Sequence, residues 1–365
     1  QEVTSSAHAL HHAHIVADTA ALRGLIGAAT EIITQAYETR ADGEAVKHLL
    51  DESEQRVFAL ARREAGQGAE PIAAAIKDTF RRIEASAHRE GLTGITSGYL
   101  DLDQLLCGLN AGDLIVLAAR PSMGKTALAL NIIEHAAMSQ PEWLQRRPVV
   151  LHFTLEMGRQ AIVARMLCTR ARVDAHRLRT GRIPLDVLHE LTSVADELSR
   201  TSIFIDDASA LSMMSLRSRA RRQKAKTGLD LIVVDYLQLL TFPKSESRQQ
   251  EISNISRSLK ALARELEVPV IALAQLSRQV ELRDPPRPQL ADLRESGSIE
   301  QDADVVLLLY RPEYYPQQRD EENKGVAEVI IAKQRNGPTG TVRLQFFEST
   351  MRFENRAPTA TEVLA

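Results

Sequence analysis

The sequence predicts an α/β fold: a mostly parallel central sheet preceded by an α-helical amino-terminal segment. Three observations carry that prediction. From Gly94 onward, short apolar runs recur with helical stretches between them. Those runs are continuous rather than alternating, the mark of strands covered on both faces. Residues 1–90, in contrast, are rich in Ala, Glu and Arg and contain no strand-like β-branched run.

In the front segment, Leu22, Leu25, Ile26, Ala29, Ile32 and Ile33 recur at helical spacing and predict a helix from about Leu10 to Tyr37. Ala41-Asp42-Gly43 breaks it. A second helix is expected from Glu44 to Arg63, with Val46, Leu49, Leu50, Val57, Phe58 and Leu60 on its apolar side. Gly66-Gln67-Gly68 reads as a turn. Pro71 suits the first position of a third helix, which carries Ile72, Ala75, Ile76, Phe80 and Ile83 and ends near Gly91. Three helices without a strand suit an interaction module rather than an active site.

The predicted strands are 114–119, 149–153, 203–205, 231–234, 270–274, 305–309 and 329–332, with a helix from Thr126 to Met138 after the first. Ile252, Ile255, Leu259, Leu262 and Leu266 predict an amphipathic core helix. The basic run Arg217, Arg219, Arg221, Arg222, Lys224 and Lys226 reads as a solvated helix face, with nucleic-acid contact as the alternative.

Composition sets outer bounds. With 365 residues the chain has room for about two domains. No 18-residue apolar run is present, which excludes a transmembrane helix. Two cysteines, Cys107 and Cys168, are too few for a disulfide framework or a four-ligand zinc site, and they read as reduced core thiols of a cytoplasmic protein. The crowded His8, His11, His12 and His14 have no acidic or Cys partner in register and read as surface. A net charge of −3 neither favours nor excludes nucleic acid, since a strand can be gripped by local positive charge.

The chemistry starts at Ala119-Arg120-Pro121-Ser122-Met123-Gly124-Lys125-Thr126, between a buried strand and a helix. Gly124 lets backbone N–H groups close around a phosphate, and the helix amino terminus adds partial positive charge. Lys125 is expected to reach the β- and γ-phosphates, and the Thr126 hydroxyl to ligate Mg²⁺. Arg120, Ser122 and Met123 fall within the same loop. Ala119 stands where the strict phosphate-loop pattern has Gly. Asp235 ends the strand 231–234, at the edge where parallel sheets bind ligands, and is expected to hold the metal through water. Glu156, just past the strand after the phosphate-loop helix, is the expected base that polarises water. A carboxylate there, rather than beside Asp235, marks the RecA-like branch of P-loop ATPases. Gln275 ends another strand at the same edge and is placed to sense the γ-phosphate. Lys333 and Arg335 follow a strand near the carboxyl end; they read either as a solvated edge or as groups that reach a neighbouring subunit's γ-phosphate. The segment Leu293-Arg294-Glu295-Ser296-Gly297-Ser298 reads as a tight surface loop whose amides could meet a phosphate.

From about Gly94 to Glu354 the chain resembles the ATPase domain of the DnaB family of replicative DNA helicases. The resemblance rests on these motifs and on Thr93-Gly94-Ile95-Thr96-Ser97-Gly98, Leu100-Asp101-Leu102-Asp103, Thr154-Leu155-Glu156-Met157 and Asp235-Tyr236-Leu237-Gln238. It extends through Ala274-Gln275-Leu276-Ser277-Arg278, Gly297-Ser298-Ile299-Glu300-Gln301-Asp302-Ala303-Asp304 and Lys333-Gln334-Arg335-Asn336-Gly337.

It implies three regions: 1–66, the end of an amino-terminal helical hairpin and the start of a linker; 67–92, a linker helix; and 93–365, a RecA-like ATPase domain. It further implies a homohexameric ring that encloses single-stranded DNA, uses ATP and Mg²⁺, and travels 5′ to 3′. Primase and a helicase loader are the implied partners, with no membrane involved. By that resemblance Glu156 is the catalytic carboxylate, Gln275 couples nucleotide state to DNA, Lys333 and Arg335 act in trans, and Arg294, Glu295 and Gly297 follow the DNA backbone. Two other readings stay open: a RecA-like strand-exchange protein, and a ring-shaped adaptor that binds nucleotide without turnover.

Overall fold

The computed structural model describes residues 6–43, scattered positions between 45 and 84, and residues 92–181, 183–242 and 247–356. The chain divides into two units, 1–90 and 91–365. In the first, α1 (Ser6–Glu38) extends the predicted helix at both ends. The described residues of 43–57 and of 72–84 are helical, as their spacing predicts. Gly66-Gln67-Gly68 and the side chains of His8, His11 and His14 lie outside the described residues; His12 is exposed.

The second unit opens with α2 (Leu100–Leu106), which leads to β1 (Leu114–Ala119) and α3 (Lys125–Met138). Next come β2 (Val149–Thr154), α4 (Arg159–Arg170), α5 (Ala175–Arg179), α6 (Leu185–Ser199) and β3 (Ser202–Asp206). The chain continues through α7 (Met213–Thr227), β4 (Leu231–Asp235), α8 (Arg248–Leu266) and β5 (Val270–Gln275). After the 3-10 turns Arg278–Leu282 and Leu290–Ser296 come α9 (Gly297–Asp302), β6 (Val305–Tyr310), β7 (Val326–Gln334), β8 (Gly340–Phe347) and β9 (Arg352–Asn355).

All nine strands join one sheet in the order β3-β2-β4-β5-β1-β6-β7-β8-β9. From β3 through β6 the pairing is parallel; β6 to β9 are antiparallel. Alternate residues of β1 explain the continuous apolar run. Ile115, Leu117 and Ala119 join the core beneath α3, whereas Leu114, Val116 and Ala118 join the core beneath α7 and α8. The predicted core helix is α8: Ile252, Ile255, Leu259, Leu262 and Leu266 are all buried. Its start is sealed by the Ser247 hydroxyl, which accepts from the Gln250 N–H at 3.2 Å.

Several expectations are corrected. Strands β8 and β9 are additional to the predicted set. β8 alternates buried and exposed residues, so it carries no continuous apolar run. β3 forms the far edge of the sheet and is only half-buried. Cys107 is exposed, at the end of α2 where the chain turns through a left-handed conformation, φ 56°; Cys168 is buried as expected. The basic run on α7 is not simply a solvated face. Arg217 and Arg221 pair with Glu265, Arg219 pairs with Asp206, and Lys224 donates to Leu266 O, so four of its cations fasten α7 to its neighbours. The expected loop at 293–298 is a 3-10 turn, kinked at Leu293, that runs into α9 at Gly297. Gln289 and Asp292 cap its start reciprocally, and Leu293 and Ile299 are buried, so apolar burial and a cap override the small residues. Gly297 has φ −51°, an ordinary helical value that does not require glycine.

One buried group in β2 ties stability to pH. Burial pushes the His152 imidazole down to about 4, with the hydrogen-bonding contact to Val233 O partly opposing. The folded state therefore favours the neutral ring. Its contribution is complete above the unfolded value near 6.5 and is lost as pH falls from there toward 4. Between pH 6.5 and 5 the loss is about 2 kcal/mol. Urea unfolding at the two pH values should show a fall smaller by that amount in His152→Gln; equal falls in the two proteins would disprove the assignment.

Candidate nucleotide site

The carboxyl ends of β1, β2, β4 and β5 meet at one edge of the sheet, where Ala119 pairs with Gln275 and Thr154 with Asp235. A cavity of about 510 Å³ opens there, lined by the loop 119–127 together with Glu156, Tyr236 and Gln275. Two positive φ angles shape the loop, 66° at Ser122 and 93° at Gly124, and α3 begins immediately after it. Turns of this kind aim successive backbone N–H groups into a concavity suited to anions, reinforced by the helix amino terminus. Gly124 is doubly constrained: a Cβ there would lie 3.0 Å from the Phe353 ring, in a conformation L side chains rarely adopt.

Thr126 Oγ1 donates to Asp235 Oδ2 at 2.8 Å. Asp235 is 1% exposed, and its other oxygen, Oδ1, is buried without a hydrogen-bond partner. A hydroxyl beside an unsatisfied carboxylate oxygen, next to an anion-binding loop, is a donor set that fits a hard divalent cation carrying its own waters. Burial raises the Asp235 pKa, opposed by the charge of Lys125 and the Thr126 hydrogen bond. Burial likewise lowers Lys125, opposed by Asp235 and Glu156. Lys125 Nζ sits 4.7 Å from the Tyr236 ring centroid. Glu156 is exposed to the cavity and has no hydrogen-bond or ion-pair partner among the described residues, so its carboxylate is free to meet a water.

Not every predicted residue faces a ligand. Arg120 is buried, with Nη1 donating to Leu276 O at 2.8 Å and Nη2 2.8 Å from Glu281. Its guanidinium braces the loop against the chain beyond β5, and the residue also lines the cavity. The Met123 side chain is buried in the core, which leaves only its backbone for the loop. Gln275 is exposed on the cavity rim. The backbone beyond it is anchored on both sides: Leu276 N–H donates to Ala119 O at 3.1 Å, and Ser277 N–H to Asp292 O at 3.0 Å. One short stretch of chain thus joins the phosphate loop, Gln275 and the turn Leu290–Ser296, which carries Arg294 and Glu295. The side chains of those two lie outside the described residues. Gly297 opens the helix that follows.

Lys333 and Arg335 lie elsewhere. Gln334 pairs with Val305 at the start of β6, whereas the phosphate loop follows Ala119, opposite Leu309. At ~3.3 Å per residue the separation is about 13 Å along the sheet. They therefore occupy the opposite edge from their own chain's cavity.

Two cations that line the cavity have no motif signal in the sequence. Arg165, on α4, lines the cavity, and its charge opposes the rise of the Asp235 pKa. Its only sequence signal is position, one residue before the buried Met166 on a helix that follows Glu156. Arg311 is buried, lies 4.1 Å from the Phe346 ring centroid and donates from Nη1 to Ser122 O at 3.4 Å. It stacks against β8, the strand that sequence reading missed.

Comparison with known proteins agrees with this geometry. Residues 94–355 match the DnaB-like helicase C terminal domain family. The replicative DNA helicase DnaB of Geobacillus stearothermophilus is 46% identical over 356 residues, covering 97% of this chain and 76% of that protein. A solved ATPase domain superposes with a TM-score of 0.74 at 39% identity, over 80% of this chain and all of that one. A DnaB-like replicative helicase, solved in a study of its interactions with primase, gives a TM-score of 0.78 at 34% identity, over 97% of this chain and 81% of that one. A phosphate loop braced to a strand-end glutamine, with a free carboxylate across the cavity and a matching sequence throughout, leaves one assignment: this chain belongs to the DnaB-like family of replicative DNA helicases.

Proposed function

We propose that the chain assembles as a homohexameric ring that encloses single-stranded DNA and moves along it 5′ to 3′ at the replication fork, driven by ATP hydrolysis with Mg²⁺. The observation that carries this reading is the split site. The cavity holds a phosphate loop, a metal-binding pair and a free carboxylate, while Lys333 and Arg335 stand at the opposite sheet edge. A ring closes that gap by setting one chain's second edge against the next chain's cavity.

In this reading the loop amides, Lys125 and Arg165 hold the phosphate chain. Thr126 and Asp235 would hold Mg²⁺, which would neutralise phosphate charge when bound. Glu156 accepts a proton from the attacking water and orients it toward the terminal phosphorus. Lys333 and Arg335 of the adjacent subunit stabilise the charge that develops on the transferred group. Gln275 senses the terminal phosphate and passes its presence to the turn Leu290–Ser296 through the Ser277–Asp292 hydrogen bond. Arg294, Glu295 and Gly297 then hold or release the DNA backbone, a contact that reads no base and weakens with salt.

Primase is the partner suggested by the solved relative, and a loader the partner suggested by the family. The described residues contain no helix long and apolar enough to cross a membrane, and action at the fork implies the cytoplasm, with the nucleoid.

A forked duplex with a 5′ single-stranded tail tests the proposal. With ATP and Mg²⁺ the protein is expected to open it, and to leave a fork with only a 3′ tail closed. A strand-exchange protein would open neither, and an adaptor would release no phosphate in the presence of single-stranded DNA. Lys125→Ala should lose about 2–5 kcal/mol of nucleotide binding, ~30-fold or more in Kd, because it removes a charge-assisted contact to phosphate. Titration with a fluorescent ATP analogue measures it, and an unchanged Kd would remove Lys125 from the site.

A further inference from the structure

Lys333 and Arg335 are already engaged within their own chain. Lys333 Nζ donates to Ala303 O at 2.8 Å and also to Glu300 O. Arg335 Nη2 donates to Gln301 O, and its Nη1 lies 3.3 Å from Asp304 Oδ1. These acceptors surround the carboxyl end of α9, where the last carbonyls of a helix have no helical partner. The two cations therefore cap the helix that continues directly from residues 294–296.

Asp304 is the fixed part of this arrangement. Its Oδ2 accepts from the Leu114 N–H at 2.8 Å and pairs with Lys260, while its backbone carbonyl accepts from the Arg335 N–H at 2.9 Å. One carboxylate oxygen is thus bound to β1 and α8, and the other is offered to Arg335. The Asp304 side chain is 6% exposed and that of Arg335 40%, so the arginine head is the part free to leave. Burial lowers the Lys333 pKa and the adjacent Arg335 lowers it further, with Asp304 and Glu300 opposing. Two like charges side by side remain together because the helix carbonyls and Asp304 neutralise them.

We propose that Asp304 and the carboxyl end of α9 form a resting seat for Lys333 and Arg335, with Asp304 as the positioning residue, and that the terminal phosphate on the adjacent subunit competes with this seat for the two cations. The inference rests on their proposed action in trans. Departure of the cations uncaps α9, whose other end joins the segment assigned to DNA. That segment then responds to two nucleotides: its own chain's, through Ser277 and Asp292, and the neighbour's, through the seat. The seat also suppresses hydrolysis when no DNA favours release, since the attraction to Asp304 must be given up first.

Asp304→Asn keeps the shape and an acceptor for the Leu114 N–H but removes the charge that retains Arg335. The expected result is DNA-free ATP turnover raised about fivefold, at the low end of ordinary coupling between sites, with the DNA stimulation ratio reduced by the same factor. The KM for ATP should fall while DNA-saturated kcat stays as in the unaltered protein. A folded, hexameric Asp304→Asn with unaltered DNA-free turnover and KM overturns the seat. If Arg335→Ala itself hydrolyses ATP normally, the trans reading fails instead, so the two failures are separate. Where Asp304→Asn does not assemble, hydrogen exchange on the unaltered ring decides: faster exchange of amides 299–304 on loading with a non-hydrolysable ATP analogue supports the seat, and unchanged exchange overturns it.

Discussion

Arg335→Ala is expected to bind nucleotide as the unaltered protein does and to lose ATP turnover by about 10³-fold or more, the usual effect of removing a cation that acts from a neighbouring subunit. The separation of effects follows from position. Arg335 lies just past the end of β7, beside the start of β6, and the cavity at the far ends of β1 and β5, so truncation leaves every cavity-lining atom of the same chain in place. The side chain is 40% exposed, and its contacts with Asp304 and Gln301 O lie at the sheet edge outside the buried core, so the fold should tolerate its loss. Phosphate release measures turnover, and titration with a fluorescent nucleotide measures binding. Mixed rings add a sharper check. A subunit carrying Lys125→Ala still contributes an intact Arg335, and a subunit carrying Arg335→Ala still contributes an intact phosphate loop. Mixing the two inactive proteins should restore activity at the boundaries where the intact halves meet. No recovery, in rings shown by native mass to be mixed, would count against action in trans.

Glu156→Gln should retain nucleotide affinity and lose turnover by about 10²–10⁴-fold, the range for loss of a general base. The substitution preserves shape and removes the proton acceptor. Glu156 has no partner among the described residues and is exposed to the cavity, so little else depends on its charge. That makes the outcome readable as chemistry rather than as damage to the fold. Single-turnover phosphate release, with nucleotide pre-bound, isolates the step. Hydrolysis at a near-normal rate would place the base on another group.

Much of the candidate nucleotide site was legible because its expected chemistry is local. The phosphate loop occupies consecutive residues between a buried strand and a helix, and Asp235, Glu156 and Gln275 each lie at or just past the end of an apolar run. Parallel pairing of those runs brings their ends to one edge, so sequence order was enough to foresee convergence. The surroundings of Arg120 and Met123 were not legible in this way. Contiguity in the loop suggested contact with ligand, but whether a side chain faces the cavity, the core or a brace such as Glu281 depends on elements far away in the chain. Arg165 and Arg311 were missed because a lone arginine on a helix or beside a proline has no pattern, and each acquires its place only from what packs beside it.

By itself the sequence determined the α/β class, the succession of the buried strands along the chain, the position of the candidate phosphate loop and the family. Those depend on residues near one another in the chain, and on apolar burial strong enough to override local ambiguity. Tertiary structure alone decided that the 293–298 stretch is a kinked 3-10 turn leading into a helix, that four basic residues of α7 serve as fastenings, and that Lys333 and Arg335 rest on the carbonyls at the end of α9 and on Asp304, at the edge away from their own chain's cavity. Each of those outcomes is a choice of partner between charges or helix ends distant in sequence. Such choices are made by distance and desolvation after the strands have paired, and no local pattern encodes them.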